Sequence, residues 1–245
     1  MNKKQKRKLL YFLVPAIALL VLIDAVFVFS YFDLGTGYSP ETNSSDFVSQ
    51  ITNPFFTLVP GTTWTYESET EDGLEKNVVV VTSDKKEILG VETTVVWDRV
   101  WLDDELIEET YDWYVQDSQG NVWYFGEDSK EYDAGVVVST QGSWEAGFDG
   151  AKQGIIMKAE PQPGDSYRQE YYKGEAEDMA DVVALNETVS VPYGEFTGCL
   201  KTRDWSKIDP NLNEYKYYCP GVGGLALEVV VDSGERVELI NFERG

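Results

Sequence analysis

The chain has 245 residues, 43 of them acidic against 20 basic, for a formal net charge of −23, and it contains no histidine. Without histidine there is no Ser-His-Asp or Cys-His nucleophile system and no His-ligated zinc, copper or non-haem iron. The negative field repels nucleic acid, while 42% hydrophobic and 13% aromatic residues suffice for a packed core.

Residues 1–8 read as a basic cytoplasmic tail, with Lys3, Lys4, Lys6, Arg7 and Lys8. An apolar run follows from Leu9 to Phe29, broken by Pro15 and Asp24, so residues 9–32 read as a transmembrane anchor or signal segment. The run is long enough to span a bilayer, and the basic flank keeps the N-terminus inside. The membrane is thus the first expected partner, and the C-terminal part is expected outside the cell. Two fates stand open: a retained single-pass anchor, or a signal peptide with its core at Leu9–Ile23, cut near Ala25 or Ser30. No clear small-x-small motif follows the run, which favours the anchor. Five of the 20 basic residues lie in the tail and one acid, Asp24, in the run, which leaves the remainder with 42 acids against 15 bases.

Residues 33–53, rich in Gly, Ser, Thr, Asn and Pro, read as a linker. Asn43-Ser44-Ser45 within it is a glycosylation sequon, as is Asn186-Glu187-Thr188 further on.

Residues 54–245 read as one all-β domain. Thr62–Glu67 alternates, Asn77–Thr82 is β-branched, and Glu92–Leu102 and Ile107–Gln116 flank the acidic turn Asp103-Asp104-Glu105. Asp117–Asn121 is a hairpin turn leading into Val122–Glu127. Further strands are expected at Gly135–Thr140, Ser166–Tyr172, Ala180–Pro192, Phe196–Trp205, Glu214–Cys219, Leu225–Asp232 and Arg236–Phe242. This spacing implies an antiparallel meander that forms a curved half-barrel, a barrel or a sandwich. Gln141–Lys158 breaks the rhythm, and a short helix at Glu145–Ala151 or an excursion over a barrel mouth is expected there.

Aromatic residues crowd the middle of the chain: Trp97, Trp101, Trp113, Tyr114, Trp123, Tyr124 and Phe125. On Ile107–Gln116, alternation puts Ile107, Tyr111, Trp113 and Val115 on one face, and Trp113 is expected in the core. A sheet core and a concave sugar-stacking face both fit this density. The candidate ligand-binding set is Trp97, Trp101, Trp123, Asp98 and Asp112, with Glu127 a further carboxylate beside aromatics. An envelope glycan, a lipid or a protein is the expected partner.

No sequence motif selects a catalytic carboxylate pair, and no Gly-rich phosphate cradle precedes a helix, so no enzyme is expected and no cofactor is implied. Oxygen-rich turns such as Asp117–Asn121 do not match the EF-hand spacing, so no metal site is assigned. Cys199 and Cys219, on candidate neighbouring strands, suit a disulfide in an oxidising compartment.

Gly61-Thr62-Thr63-Trp64-Thr65-Tyr66 resembles the opening strand of many extracytoplasmic bacterial and archaeal proteins. Val191-Pro192-Tyr193-Gly194-Glu195-Phe196, continued by Cys199-Leu200-Lys201 and Tyr218-Cys219-Pro220-Gly221-Val222-Gly223, resembles their closing section. Asp112-Trp113-Tyr114 and Gly120–Gly126 complete the likeness. It is a resemblance to secreted or membrane-anchored β-rich proteins of bacteria and archaea to which no activity attaches. It implies a fold similar to the half-open barrels of lipoprotein-carrier proteins, whose acyl-chain carriage is one alternative function. A carboxylate-dependent enzyme acting on envelope glycans is another. The leading expectation is a membrane-anchored extracytoplasmic binding or surface module.

Overall fold

The computed structural model describes residues 37–245. The expected anchor therefore lies outside the described residues, and no helix among those described is long and apolar enough to cross a membrane. From Pro40 to Gly245 the chain forms one unit. Residues 40–53, read from composition as linker, already belong to it: a 3-10 turn at Ser44–Asp46 leads into a short strand that pairs with the main sheet, and Ile51–Asn53 enters a separate two-stranded sheet.

The strands are β1 (Phe47–Val48), β2 (Ile51–Asn53), β3 (Phe56–Leu58), β4 (Thr63–Thr70), β5 (Gly73–Ile88), β6 (Val91–Leu102), β7 (Glu105–Asp117), β8 (Val122–Asp133) and β9 (Val136–Ser139). They continue with β10 (Trp144–Glu145), β11 (Lys152–Met157), β12 (Ser166–Arg168), β13 (Glu170–Tyr171), β14 (Asp178–Val191), β15 (Gly194–Ser206), β16 (Asn213–Cys219), β17 (Gly224–Val230) and β18 (Arg236–Glu243). All pairings are antiparallel, and the main sheet runs β12-β14-β15-β16-β17-β18-β4-β5-β6-β7-β8-β11-β13. Its two ends, β12 and β13, are consecutive in the chain and separated only by Gln169, so the sheet curls into a nearly closed barrel. The expected all-β class is therefore observed as a barrel.

The helix expected at Glu145–Ala151 is absent. Trp144–Glu145 instead adds to the edge of β8, and residues 152–157 form a strand. Gly126 permits this, because a Cβ there would lie 2.2 Å from the Trp144 carbonyl oxygen. Gly147 and Gly150, both with positive φ, disfavour a helix here.

Two apolar clusters form. One fills the barrel with Trp64, Tyr66, Val81, Val96, Val122, Met157, Val182, Leu200, Tyr218 and Leu239. The β2–β3 hairpin belongs to it. Gln116 Oε1 accepts from Thr52 N at 2.8 Å and Asn53 N at 2.9 Å, and Phe56 meets Tyr114 edge-on at 5.1 Å. The second cluster holds Ile88, Val91, Val95, Trp113, Val115, Phe125, Trp144, Ala146 and Ala151. Trp113 is 6% exposed, as expected of a core residue. It packs opposite Val95, on the sheet face away from Val96 and Asp112, so this part of the second cluster lies on the far side of β7 from the barrel interior, while Trp144 packs edge-on against Tyr124 on the inner side. The Lys86 ammonium lies 3.3 Å from the Trp113 ring centroid and pairs with Glu145 at 2.7 Å, closing the site over.

Cys199 on β15 and Cys219 on β16 form the expected disulfide. It closes a loop of about twenty residues, a constraint of roughly 3 kcal/mol in the chain-entropy model. Reduction is expected to lower the thermal midpoint, and the native protein should resist alkylation until reduced, as read by mass spectrometry. Trp113→Ala should destabilise the domain by about 3–5 kcal/mol through the cavity it leaves. Denaturant unfolding followed by tryptophan fluorescence measures it.

Candidate functional site

The predicted ligand-binding residues fall on two faces of one sheet. Successive residues of a strand point to opposite sides, so Trp97 and Trp101 of β6 share one face with Arg99, and Asp98 takes the other. On β7, Tyr111 and Glu109 lie opposite Trp97 and Arg99, while Asp112 lies opposite Val96 of the barrel core. The five candidates therefore make no common site. Trp123 stands apart. Its indole N–H donates to Asp117 Oδ2 at 2.9 Å, and Phe47 meets its ring edge-on at 6.4 Å. Asp117 also accepts from the backbone of Gln119 and Asn121, so Trp123 anchors the β7–β8 hairpin.

The outer face carries an aromatic and cationic ladder. The Arg99 guanidinium lies 3.5 Å from the Trp97 ring centroid and 5.0 Å from that of Trp101. Trp97 stacks on Tyr111 at 6.0 Å with 9° between planes. Glu109 ties the rungs together: its carboxylate accepts from Trp97 Nε1 at 3.0 Å and from the Tyr132 hydroxyl at 3.2 Å. The Lys130 ammonium sits 5.7 Å from the Tyr111 centroid and pairs with Asp128 at 2.9 Å. Arg99 Nε is enclosed with no hydrogen-bond acceptor, so stacking holds this guanidinium. The ladder's rings are half-buried and face away from the barrel interior.

The inner face carries a belt of carboxyl groups. Register places Asp98 opposite Thr110 and Val79, Asp112 opposite Glu127, Asp178 opposite Ser206, Asp204 opposite Glu214, and Glu228 opposite Lys216. Asn77 Nδ2 donates to Asp98. Trp144 Nε1 donates to Glu170 at 3.0 Å. Lys216 is the cation of the belt, 3.5 Å from each of Asp204, Glu214 and Glu228. Burial works against its charge, and the pull of those three acids more than offsets that, holding its pKa well above the ordinary lysine value.

Tyr124 joins two carboxyl groups of the belt. Its hydroxyl oxygen lies 2.6 Å from Asp112 Oδ1 and 2.9 Å from Glu127 Oε2. A phenol has one proton to donate. The hydroxyl thus donates to one carboxyl group at a time and holds the two acids side by side. Burial pushes Asp112 up, and the charge of Glu127 adds to it; burial pushes Glu127 up, helped by Glu170; burial pushes Glu170 up, helped by Asp178. Asp98 is pushed up to about 8, first by burial and then by Asp112.

Chemically, the belt is a run of carboxyl groups whose pKa values burial raises. The two best-formed hollows among the described residues lie elsewhere. One of about 200 Å³ sits among Pro54, Thr57, Phe242 and Arg244, and one of about 310 Å³ among Glu67, Leu74, Lys76 and Asp103. Neither is deep and apolar enough to shelter an acyl chain. No group of three or more His, Cys, Asp or Glu residues among those described is arranged to hold a metal ion.

Sequence reasoning singled out Asp98 and Asp112 but missed Glu170, Asp178, Asp204, Lys216 and Glu228. The signal was present in part: Asp204 alternates with Thr202 and Leu200 on β15, and Lys216 with Tyr218 on β16. Which of the two mixed faces turned inward was not visible before the pairing was known.

Comparison with known proteins adds little. No family model matches the chain. No curated protein matches it either. A crystal structure described as that of a "putative lipoprotein" from Parabacteroides distasonis ATCC 8503 aligns over 77% of this chain and 98% of its own, at 13% identity and a TM-score of 0.37. At that score the likeness carries no argument.

The belt dictates an unusual pH response. A carboxyl whose folded pKa stands above its unfolded value stabilises the fold fully below the unfolded pKa, and that contribution is lost as pH rises through the folded pKa. For Asp98 the window runs from its ordinary value of 3.8 to about 8. The unfolding free energy should therefore fall between about pH 5 and pH 8.5, by at most about 1.4 kcal/mol per pH unit for each such group, and the thermal midpoint with it. Asp98→Asn should flatten the slope, as read by circular dichroism melts across that range.

Proposed function

We propose that this chain is a membrane-anchored, outward-facing binding module without catalytic activity, and that the ladder of Trp97, Arg99, Trp101, Tyr111, Lys130 and Tyr132 is its contact surface. The carrying observation is the concentration of stacked rings and cations on the face of β6–β8 that points away from the barrel, in a strongly acidic domain. Rings of this kind stack on the apolar faces of sugars, and flanking cations and Glu109 supply hydrogen bonds to hydroxyl or acidic substituents. An envelope polysaccharide is the partner this chemistry suits. The disulfide supports an oxidising compartment, and the basic tail and apolar run support the anchor.

The competing reading, an enzyme built on paired carboxyls, has one specific observation behind it: the Tyr124-bridged pair Asp112 and Glu127. That pair lies on the inner face of the sheet, with Asp112 9% exposed, whereas the ladder stands on the outer face, so binding is the better supported reading.

The test is affinity electrophoresis of the full-length protein in detergent, through gels containing polysaccharide isolated from the envelope of the source organism. Trp97→Ala with Trp101→Ala should weaken retardation by about tenfold or more, the usual effect of removing stacking anchors. The thermal midpoint should move by only a few degrees. Unchanged retardation in that double variant overturns the assignment of the surface.

A further inference from the structure

The barrel closes through one short run of chain. Residues 166–168 pair with Met179–Asp181 of β14, and residues 170–171 pair with Lys152–Gln153 of β11, so a single extended segment stitches one edge of the sheet to the other. The stitch is reinforced by Gln169 N donating to the Asp178 carbonyl at 2.9 Å and by Gln169 Nε2 donating to Asp204 Oδ2 at 3.1 Å. Gly154 lets β11 approach this closely, since a Cβ there would lie 2.3 Å from the Gln169 carbonyl. By contrast, β14 and β15 pair along most of their length. The seam therefore rests on some of the shortest pairings of the barrel.

The seam is also where carboxyl groups converge. Glu170 belongs to the stitching segment itself, and Asp178 starts the strand on its other side. Facing them are Asp112 from β7, with Glu108 nearer the rim, Tyr124 and Glu127 from β8, Trp144 from β10, Asp204 and Ser206 from β15, and Glu214 and Lys216 from β16. Among the described residues, neither Glu127 nor Glu170 has a cation within ion-pair distance, and the Lys216 ammonium is 3.5 Å from Asp204, Glu214 and Glu228. The contacts they do make are as acceptors, Glu127 from the Tyr124 hydroxyl and Glu170 from Trp144 Nε1.

We propose that the barrel is latched by protons: neutral carboxyl groups at Glu127, Glu170 and Asp178 hold segment 166–171 across the seam, and their ionisation releases it. Two adjacent buried carboxylates without a counter-charge repel each other strongly. The cheapest relief is local. Segment 166–171 moves away and admits water, while the long pairings of β5 to β8 and β14 to β17 stay intact. Burial raises the pKa of Glu127, Glu170 and Asp178 alike, so release is drawn toward neutral and alkaline pH.

Hydrogen–deuterium exchange of the full-length protein in detergent tests this, with rates corrected for base-catalysed chemical exchange. Between about pH 6 and about pH 9, peptides covering 152–157 and 166–171 should lose at least about tenfold in protection while those covering 94–102 and 214–219 keep theirs. Glu127→Gln with Glu170→Gln replaces both acids by neutral groups of the same shape, and its seam should stay protected at the higher pH. Equal protection of the wild-type seam at both pH values overturns the latch, as does a seam that opens together with the control peptides. Should the double variant not fold, the wild-type comparison decides alone.

Discussion

Closing a sheet on itself requires its two edges to meet, and here they meet only through segment 166–171. The rest of the structure depends on that closure. It puts the even-numbered residues 96, 98 and 100 of β6, and 110, 112 and 114 of β7, inside the barrel, and the odd-numbered ones outside. It makes the inward acids neighbours of one another, and it leaves the outer face of β6–β8 as the place where aromatic rings stack in the open. An unclosed sheet of the same strands would leave Asp98 and Asp112 in water with ordinary titration.

The interior is divided along the barrel axis. One end is apolar and plugged by the β2–β3 hairpin, with Phe56 against Tyr114 and Tyr218. Beyond Tyr66 and Tyr124 the lining turns acidic. Phenols form the boundary, and both send their hydroxyls to partners, Tyr66 to the Leu225 carbonyl at 2.9 Å and Tyr124 to the Asp112–Glu127 pair. An amphipathic ring suits such a boundary, because its edge can pack on valine while its oxygen meets a carboxyl.

Strand positions were legible in the sequence because turn chemistry and β-branched runs mark them, and Asp117–Asn121 forms the hairpin its composition implies. The disulfide was legible from two cysteines flanking a turn. Trp113 is buried as expected, yet for a different reason: it fills a second core under residues 144–151, while the barrel interior is lined by the face bearing Thr110, Asp112 and Tyr114. Hydropathy marked the Trp113 face of β7 as buried, and Trp113 and Val115 are, but it could not show that the opposite, more polar face lines the barrel. Long-range register decides that, and alternation along one strand carries no information about it. The same blindness joined Trp97 to Asp98, adjacent residues that lie on opposite sides of the sheet.

The formal charge of −23 counts every carboxyl as ionised. Burial raises the pKa of several belt acids, so the folded domain is expected to carry less negative charge near neutrality than that count. Unfolding exposes them to water and sets their protons free. The unfolded chain is thus more anionic than the folded one, swells by self-repulsion and resists clumping with its own copies, so a domain rich in strands gains a safeguard against aggregation in the state where bare strands are most hazardous.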